Sequence, residues 1–298
     1  MSGSFLPFAE FAASFDQASG ALPSWVHGGG GAVLEPPALR HRVEEVLDTV
    51  VALERAEWMQ DGVHAGPTTL PETWRAVQHA ARTLRVAVPP VVVGGISPRA
   101  QGTFGTDDRA FLYLSTFLMD AASEGERRFF AGRLVGRIAA RHVTAGTLYA
   151  LLVDQAGLRS AARKAVGPAL EVLLAPMSLG LRLVLSRWHR ASEISADRAG
   201  LVCCGDLADA GRALLRVSLG RTPEVSVEEY LSHLRDHGSS PGRWTELLAD
   251  QPFTHKRLRA LALYARSEDF AANGGRADGP LLSRPELDRR TDELLGVG

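Results

Sequence analysis

Glu193 and Asp197 are the residues whose types and spacing first point to chemistry. They stand four apart in Arg190-Ala-Ser-Glu193-Ile-Ser-Ala-Asp197-Arg-Ala-Gly200, so on a helix both carboxylates face the same way. Such a pair is either half of a metal site or a solvated charged face, and the spacing alone favours the solvated face. His189 extends the row to i, i+4 and i+8, which is ligand-like spacing for a metal site built from His189, Glu193 and Asp197. The histidines are His27, His41, His64, His79, His142, His189, His233, His237 and His255, and none begins a His-Glu-x-x-His, the helical zinc-hydrolase motif. Gly102-Thr-Phe-Gly105 lacks the Lys-Ser/Thr ending of a phosphate loop, no Gly-x-Gly-x-x-Gly follows a strand, and no nucleophile elbow marks a catalytic serine. Cys203 and Cys204 are adjacent, with Cα atoms about 3.8 Å apart where a relaxed disulfide needs about 4.4–6.8 Å, so no disulfide framework is expected.

The elements that must carry these residues can be read from composition and periodicity. The chain has 298 residues, 45% hydrophobic and 22% charged, enough to bury a core without covalent staples. Its net charge of −1 supplies no broad electrostatic footprint for nucleic acid or an anionic membrane. The most apolar window, Val172 to Leu181, is far shorter than the roughly 20 residues of a spanning helix. The first twenty residues lack a basic n-region and an apolar h-region, so no signal peptide and a cytoplasmic protein are expected. Residues 1–37 read as a flexible or partly helical segment, with Phe5, Phe8, Phe11 and Phe15 at helical spacing and a Gly28–Gly31 run. An N-terminal helical region fills 38–70, its main helix over Ala38–Gln60, and Pro71–Leu84 gives another helix. Val91–Val93, Gly102–Gly105 and Ala110–Ser115 predict a small sheet of about three strands. Ser123 and Glu126 form a capping box opening a helix through Phe129, Leu134 and Ile138. Further helices are predicted over Thr147–Ala165, Pro168–Cys204, Leu207–Leu219, Val227–Asp236 (with a second box, Ser226 and Glu229) and Thr254–Ser267, and a tail over 271–298 holds a short helix, Pro285–Leu295.

Glu193-x-x-x-Asp197-Arg198-Ala199-Gly200 resembles the second metal-site motif of the HtpX-type zinc metallopeptidases, the gluzincins that include the CAAX prenyl proteases. Val91–Val93, Gln101–Thr106 and Phe111–Ser115 resemble the strands before that family's active-site helix, Glu126–His142 takes that helix's place, and the likeness runs over 71–270. It implies an α+β, mainly helical gluzincin-like (zincin) fold. In the family, two histidines of His-Glu-x-x-His and a later glutamate bind zinc, and the motif glutamate activates water. Aligned on Phe129-Phe-Ala-Gly132, the motif falls on Arg133-Leu134-Val135-Gly136-Arg137, with Arg133 and Arg137 for the histidines and Leu134 for the catalytic glutamate. Gln251-Pro252 stands where relatives often have His-Pro, and Arg257 stands in the place of a family arginine.

A guanidinium has no lone pair for a metal, and leucine cannot take a proton from water. The resemblance with these departures implies a pseudopeptidase with vestigial positions Arg133, Leu134, Arg137 and Glu193. No zinc or other cofactor is expected, and the partner is expected to be a polypeptide. By analogy with the family geometry, Arg133 should pair with Asp197 and Arg137 with Glu193. The edge strand near Gly105, Thr106, Phe111 and Tyr113 is the candidate peptide-binding edge. The competing expectation is a zinc endopeptidase remade around His189, Glu193 and Asp197. Against it, His142 falls about 140° round a helix from Arg137 at roughly 100° per residue.

Overall fold

In a computed structural model that describes residues 22–28, 37–95, 101–152, 178–220, 226–236, 254–277 and 279–296, the central helix starts where its capping box places it. The Ser123 hydroxyl accepts the Glu126 N–H at 3.1 Å, and the Glu126 carboxylate accepts the Ser123 N–H at 2.8 Å, satisfying two donors that a helix start leaves orphaned. In chain order the elements are α1 (Pro37–Asp61), β1 (Val63–His64), α2 (Pro71–Thr83), β2 (Val91–Val93), β3 (Gly102–Gly105) and β4 (Ala110–Leu114). They continue with α3 (Thr116–Asp120), α4 (Glu124–Ala139), α5 (Val143–Leu152), α6 (Ser178–Cys204), α7 (Leu207–Leu219), α8 (Val227–Asp236), α9 (Thr254–Tyr264), α10 (Glu268–Ala272) and α11 (Arg284–Leu295).

Among the described residues the sheet has four strands in the order β1-β2-β4-β3, with β2 and β4 parallel and both outer pairs antiparallel. One strand more than the expected three is therefore present: Val63-His64 pairs with Val93 and Val92, and two residues are too few for alternation to reveal. One face of the sheet, through Val91, Val93, Leu112 and Leu114, packs on α2 and α4 in the main core. The other face carries Val92, Phe104, Phe111 and Tyr113 beneath Trp58 of α1, whose ring lies 3.6 Å from that of Tyr113.

The candidate peptide-binding edge is thereby corrected. Phe111 and Tyr113 are buried on β4, an interior strand whose backbone is paired on both sides. The true edge on that side is β3, and α5 closes part of it: the outward Gly105 N–H donates to Thr147 Oγ1 at 3.1 Å. Thr106 is buried in the tight turn that follows, where its N–H and C=O pair with Arg109. Beside it, Asp107 Oδ1 accepts the N–H groups of Val143 (2.9 Å) and Thr144 (3.3 Å), capping α5 and clamping it to the hairpin.

Helices α4 and α6 approach each other closely, and small side chains allow it. A Cβ on Gly132 would stand 2.7 Å from Cys203 Cβ, one on Gly136 2.4 Å from Ala199 Cβ, and one on Gly200 2.8 Å from Arg133 Cγ. The two backbones therefore approach closely enough for Arg133 and Arg137 to meet Glu193 and Asp197. The 1–21 stripe of phenylalanines, residues 153–177 and the Gln251-Pro252 pair lie outside the described residues, so only the start of the expected Thr147–Ala165 helix, within α5, and the later part of the expected Pro168–Cys204 helix, as α6, are described.

Candidate functional site

Glu193 and Asp197 are 0% and 1% exposed, so they do not form a solvated face. They lie on α6 against α4, and charge follows charge into the interface. Arg133 Nη2 donates to Glu193 Oε2 at 2.7 Å, and its Nε stands 2.7 Å from Asp197 Oδ1 without the alignment of a hydrogen bond. Arg137 Nη2 donates to Glu193 Oε1. A third guanidinium, Arg257 of α9, grips Asp197 with both arms of its fork, Nε to Oδ2 at 2.8 Å and Nη2 to Oδ1 at 2.7 Å, and lies 3.8 Å from Glu193 Oε2. The structure thus brings together the four residues singled out by spacing and resemblance, and adds Arg257. Sequence reading placed Arg257 in a family position but left it out of the cluster, because a partner sixty residues away leaves no periodic trace.

The electrostatics follow from burial and from this count of charges. Burial alone would raise the Glu193 pKa, but Arg137 and Arg133 override it and hold the carboxyl well below the usual carboxylate range. Burial lowers the pKa of Arg133, Arg257 lowers it further, and Asp197 and Glu193 only partly offset them. Against burial, the paired Asp197 raises the pKa of Arg257. Three cations face two anions.

Two histidines border the cluster. His189 is buried, stacks on Tyr149 at 3.9 Å between rings, and has Nε2 3.7 Å from Glu193 Oε1. Burial pushes its pKa down to about 4 despite Glu193, and the nearby guanidiniums add to the fall. His142 lies edge-on to Trp188, and burial with Arg137 and His189 pushes it down to about 3. Its place corrects the helical-wheel argument made from sequence. The helix ends at Ala139, Arg141 turns left-handed at φ 56°, and the His142 N–H closes on the Arg137 carbonyl at 2.9 Å while the Arg141 N–H closes on Ile138. This is a Schellman C-terminus, and it folds His142 back beside Arg137 rather than round a helix from it.

The residues present do not fit a zinc ion. Tetrahedral sites need lone pairs from nitrogen, sulfur or oxygen, and Arg133 and Arg137 offer none. Both oxygens of Glu193 and both of Asp197 already accept guanidinium or ion contacts. Among the described residues, no group of three or more His, Cys, Asp and Glu side chains converges as metal donors. The remade site of His189, Glu193 and Asp197 is therefore not favoured: its two acids are committed to arginines. Leu134, which the family resemblance sets against the catalytic glutamate, is 3% exposed and packs in the main core, while the carbonyl of that same residue accepts from Thr103 Oγ1 at 2.9 Å.

Neither the curated proteins nor the solved structures give a match to this chain. A family model described as peptidase family M48 matches residues 71–265, more than half of the chain, and that span includes α4, α6 and all but one strand of the sheet. The mainly helical α+β fold, the tight α4–α6 pairing and this match agree, and the chain belongs to peptidase family M48, the family of the HtpX-type and CAAX-protease-like metallopeptidases.

Proposed function

We propose that this chain is a catalytically silent member of its family, a pseudopeptidase that acts in the cytoplasm as a polypeptide-binding, regulatory or scaffold protein. One observation carries the reading: of the three residues that the resemblance aligns with the family motif, Arg133, Leu134 and Arg137, both guanidiniums are bonded to Glu193, which the same resemblance makes the third metal ligand. Loss of a general base alone lowers a rate by typically 10²–10⁴, and here the two imidazole ligands are replaced as well. A polypeptide partner is favoured because the family's fold is built to hold a peptide chain, and holding needs no metal. A nucleic-acid partner is disfavoured by the net charge of −1, and among the described residues no helix is long and apolar enough to cross a membrane.

The test is turnover of casein and of a mixed peptide library by the full chain, with and without a chelator. This reading expects no chelator-sensitive cleavage, together with saturable binding of unfolded casein by fluorescence anisotropy. Chelator-sensitive cleavage overturns the silent-enzyme part. Failure to bind any unfolded polypeptide overturns the binding part.

A further inference from the structure

Around Arg137 the interior holds a set of polar atoms that find nothing to bond among the described residues. Arg137 Nε, both ring nitrogens of His142, both ring nitrogens of His189 and Trp188 Nε1 are buried without a hydrogen-bond partner there. They occupy one neighbourhood. Trp188 and His189 are consecutive on α6, His142 lies 5.2 Å from Trp188 between ring centres, and Arg137 and His189 both approach Glu193 Oε1. Orphaned buried polar groups are rare, because each forfeits its hydration unless something bonds it.

Charge and donor count specify what would. Among the described residues of the ion-pair cluster, Arg133, Arg137 and Arg257 against Glu193 and Asp197 leave one positive charge in excess. A metal cation would worsen that imbalance, a dianion would invert it, and a monoanion cancels it. The two neutral imidazoles supply one N–H each, and Arg137 Nε and Trp188 Nε1 supply one each. A carboxylate offers about four lone-pair sites on two oxygens, one for each donor. We infer that Arg137, His142, Trp188 and His189 form a binding site for a single carboxylate, beside the ion-pair cluster that replaces the metal centre. The Arg137 side chain is 15% exposed, so this side of the cluster reaches solvent. Carboxylates of this class are free carboxylic acids or the C-terminus of a polypeptide. The inference rests on the metal-free reading given above and deepens it, since it names the chemical group that the altered site would hold.

The experiment uses the full-length, zinc-assayed protein with its histidines ¹⁵N-labelled, titrated with N-acetylglycine, with acetate, and with N-acetylglycinamide and chloride as controls at constant ionic strength. The expected result is saturable movement of the His142 and His189 ring resonances with both carboxylates and none with the amide. Tighter binding of N-acetylglycine than of acetate identifies a polypeptide end, and the reverse identifies a free acid. Arg137→Gln should weaken binding at least about tenfold, the worth of one charge-assisted hydrogen bond. Should that variant not fold, His142→Phe removes one donor while keeping the edge contact with Trp188, and should weaken binding in the same direction. Unmoved histidine resonances in zinc-free protein, which would mean ordered water alone, overturn this inference and leave the silent-enzyme reading standing, as does an equal response to chloride. Stoichiometric zinc overturns both.

Discussion

Removing the Glu193 carboxylate would leave Arg133, Arg137 and Arg257 facing Asp197 alone. Breaking one side of a buried ion cluster costs about 3–5 kcal/mol, so Glu193→Gln should lower unfolding stability by about that much in urea titration. Arg137→Gln removes the surplus cation instead and should destabilise less than Glu193→Gln. Equal losses from the two would contradict the charge count. The histidines set the pH dependence. Each folded pKa, about 3 for His142 and about 4 for His189, lies below the ordinary 6.5, so the unfolded chain binds more protons as pH falls. Their neutral burial therefore costs nothing above about pH 6.5, and stability declines as pH drops from there toward about 4. Glu193, with its depressed pKa, makes its full contribution above the ordinary carboxyl value of 4.5 and loses it as the pH falls below that value. The melting temperature should fall steadily between pH 7 and pH 4.5, on the order of the range those pKa values define, and His142→Phe should flatten the slope. A flat profile in the unaltered chain would contradict this. At this scale, spacing and family likeness brought Arg133, Arg137, Glu193 and Asp197 to attention. Spacing misjudged the exposure of the acids, because an i, i+4 acid pair looks the same on a wet face and on a buried one.

Among elements, the α4–α6 contact decides whether the cluster can form. Gly136→Ala would put a methyl group 2.4 Å from Ala199 Cβ, forcing the helices apart. Overpacking of this kind costs about 1–3 kcal/mol, and the accompanying shift should loosen the Arg137–Glu193 contact, visible as a rise in the pH at which His189 titrates. Unchanged stability together with an unchanged His189 titration would refute the close-approach argument. Helix starts were legible because Ser123-x-x-Glu126 is a local signal, as was the Ser226 hydroxyl that accepts the Glu229 N–H. What sequence could not supply was the sheet's order. Parallel pairing of β2 with β4 puts Phe111 and Tyr113 in the interior, and α5 closes on Gly105 through Thr147, contacts that span tens of residues and carry no periodic signature.

On the scale of the whole molecule, segments outside the M48 match meet one another on α6. The His27 N–H donates to Ser195 Oγ at 2.9 Å, and its ring bridges Asp288 (3.1 Å) and Asp292 (3.2 Å) of α11. Arg284 binds the carbonyls of Ser24 and Val26, and fully buried Arg198 donates to Thr291 at 3.0 Å. Trp25 lies against α4 at Gly136, one residue from Arg137. Arg284→Ala should therefore free residues 22–28, measured as faster limited proteolysis there and a stability loss of about 1–3 kcal/mol. Unaltered cleavage would mean that the clasp is held elsewhere. None of this was legible beforehand, since the glycine run at 28–31 pointed to a linker and gave no hint that the residues before it are packed. The central claim is that arginines have replaced metal ligands, and the metal content of the full-length chain, purified without chelators, tests it most directly. The account predicts no stoichiometric zinc or manganese. Close to one ion per chain, removed by a chelator with a fall in melting temperature, would contradict it.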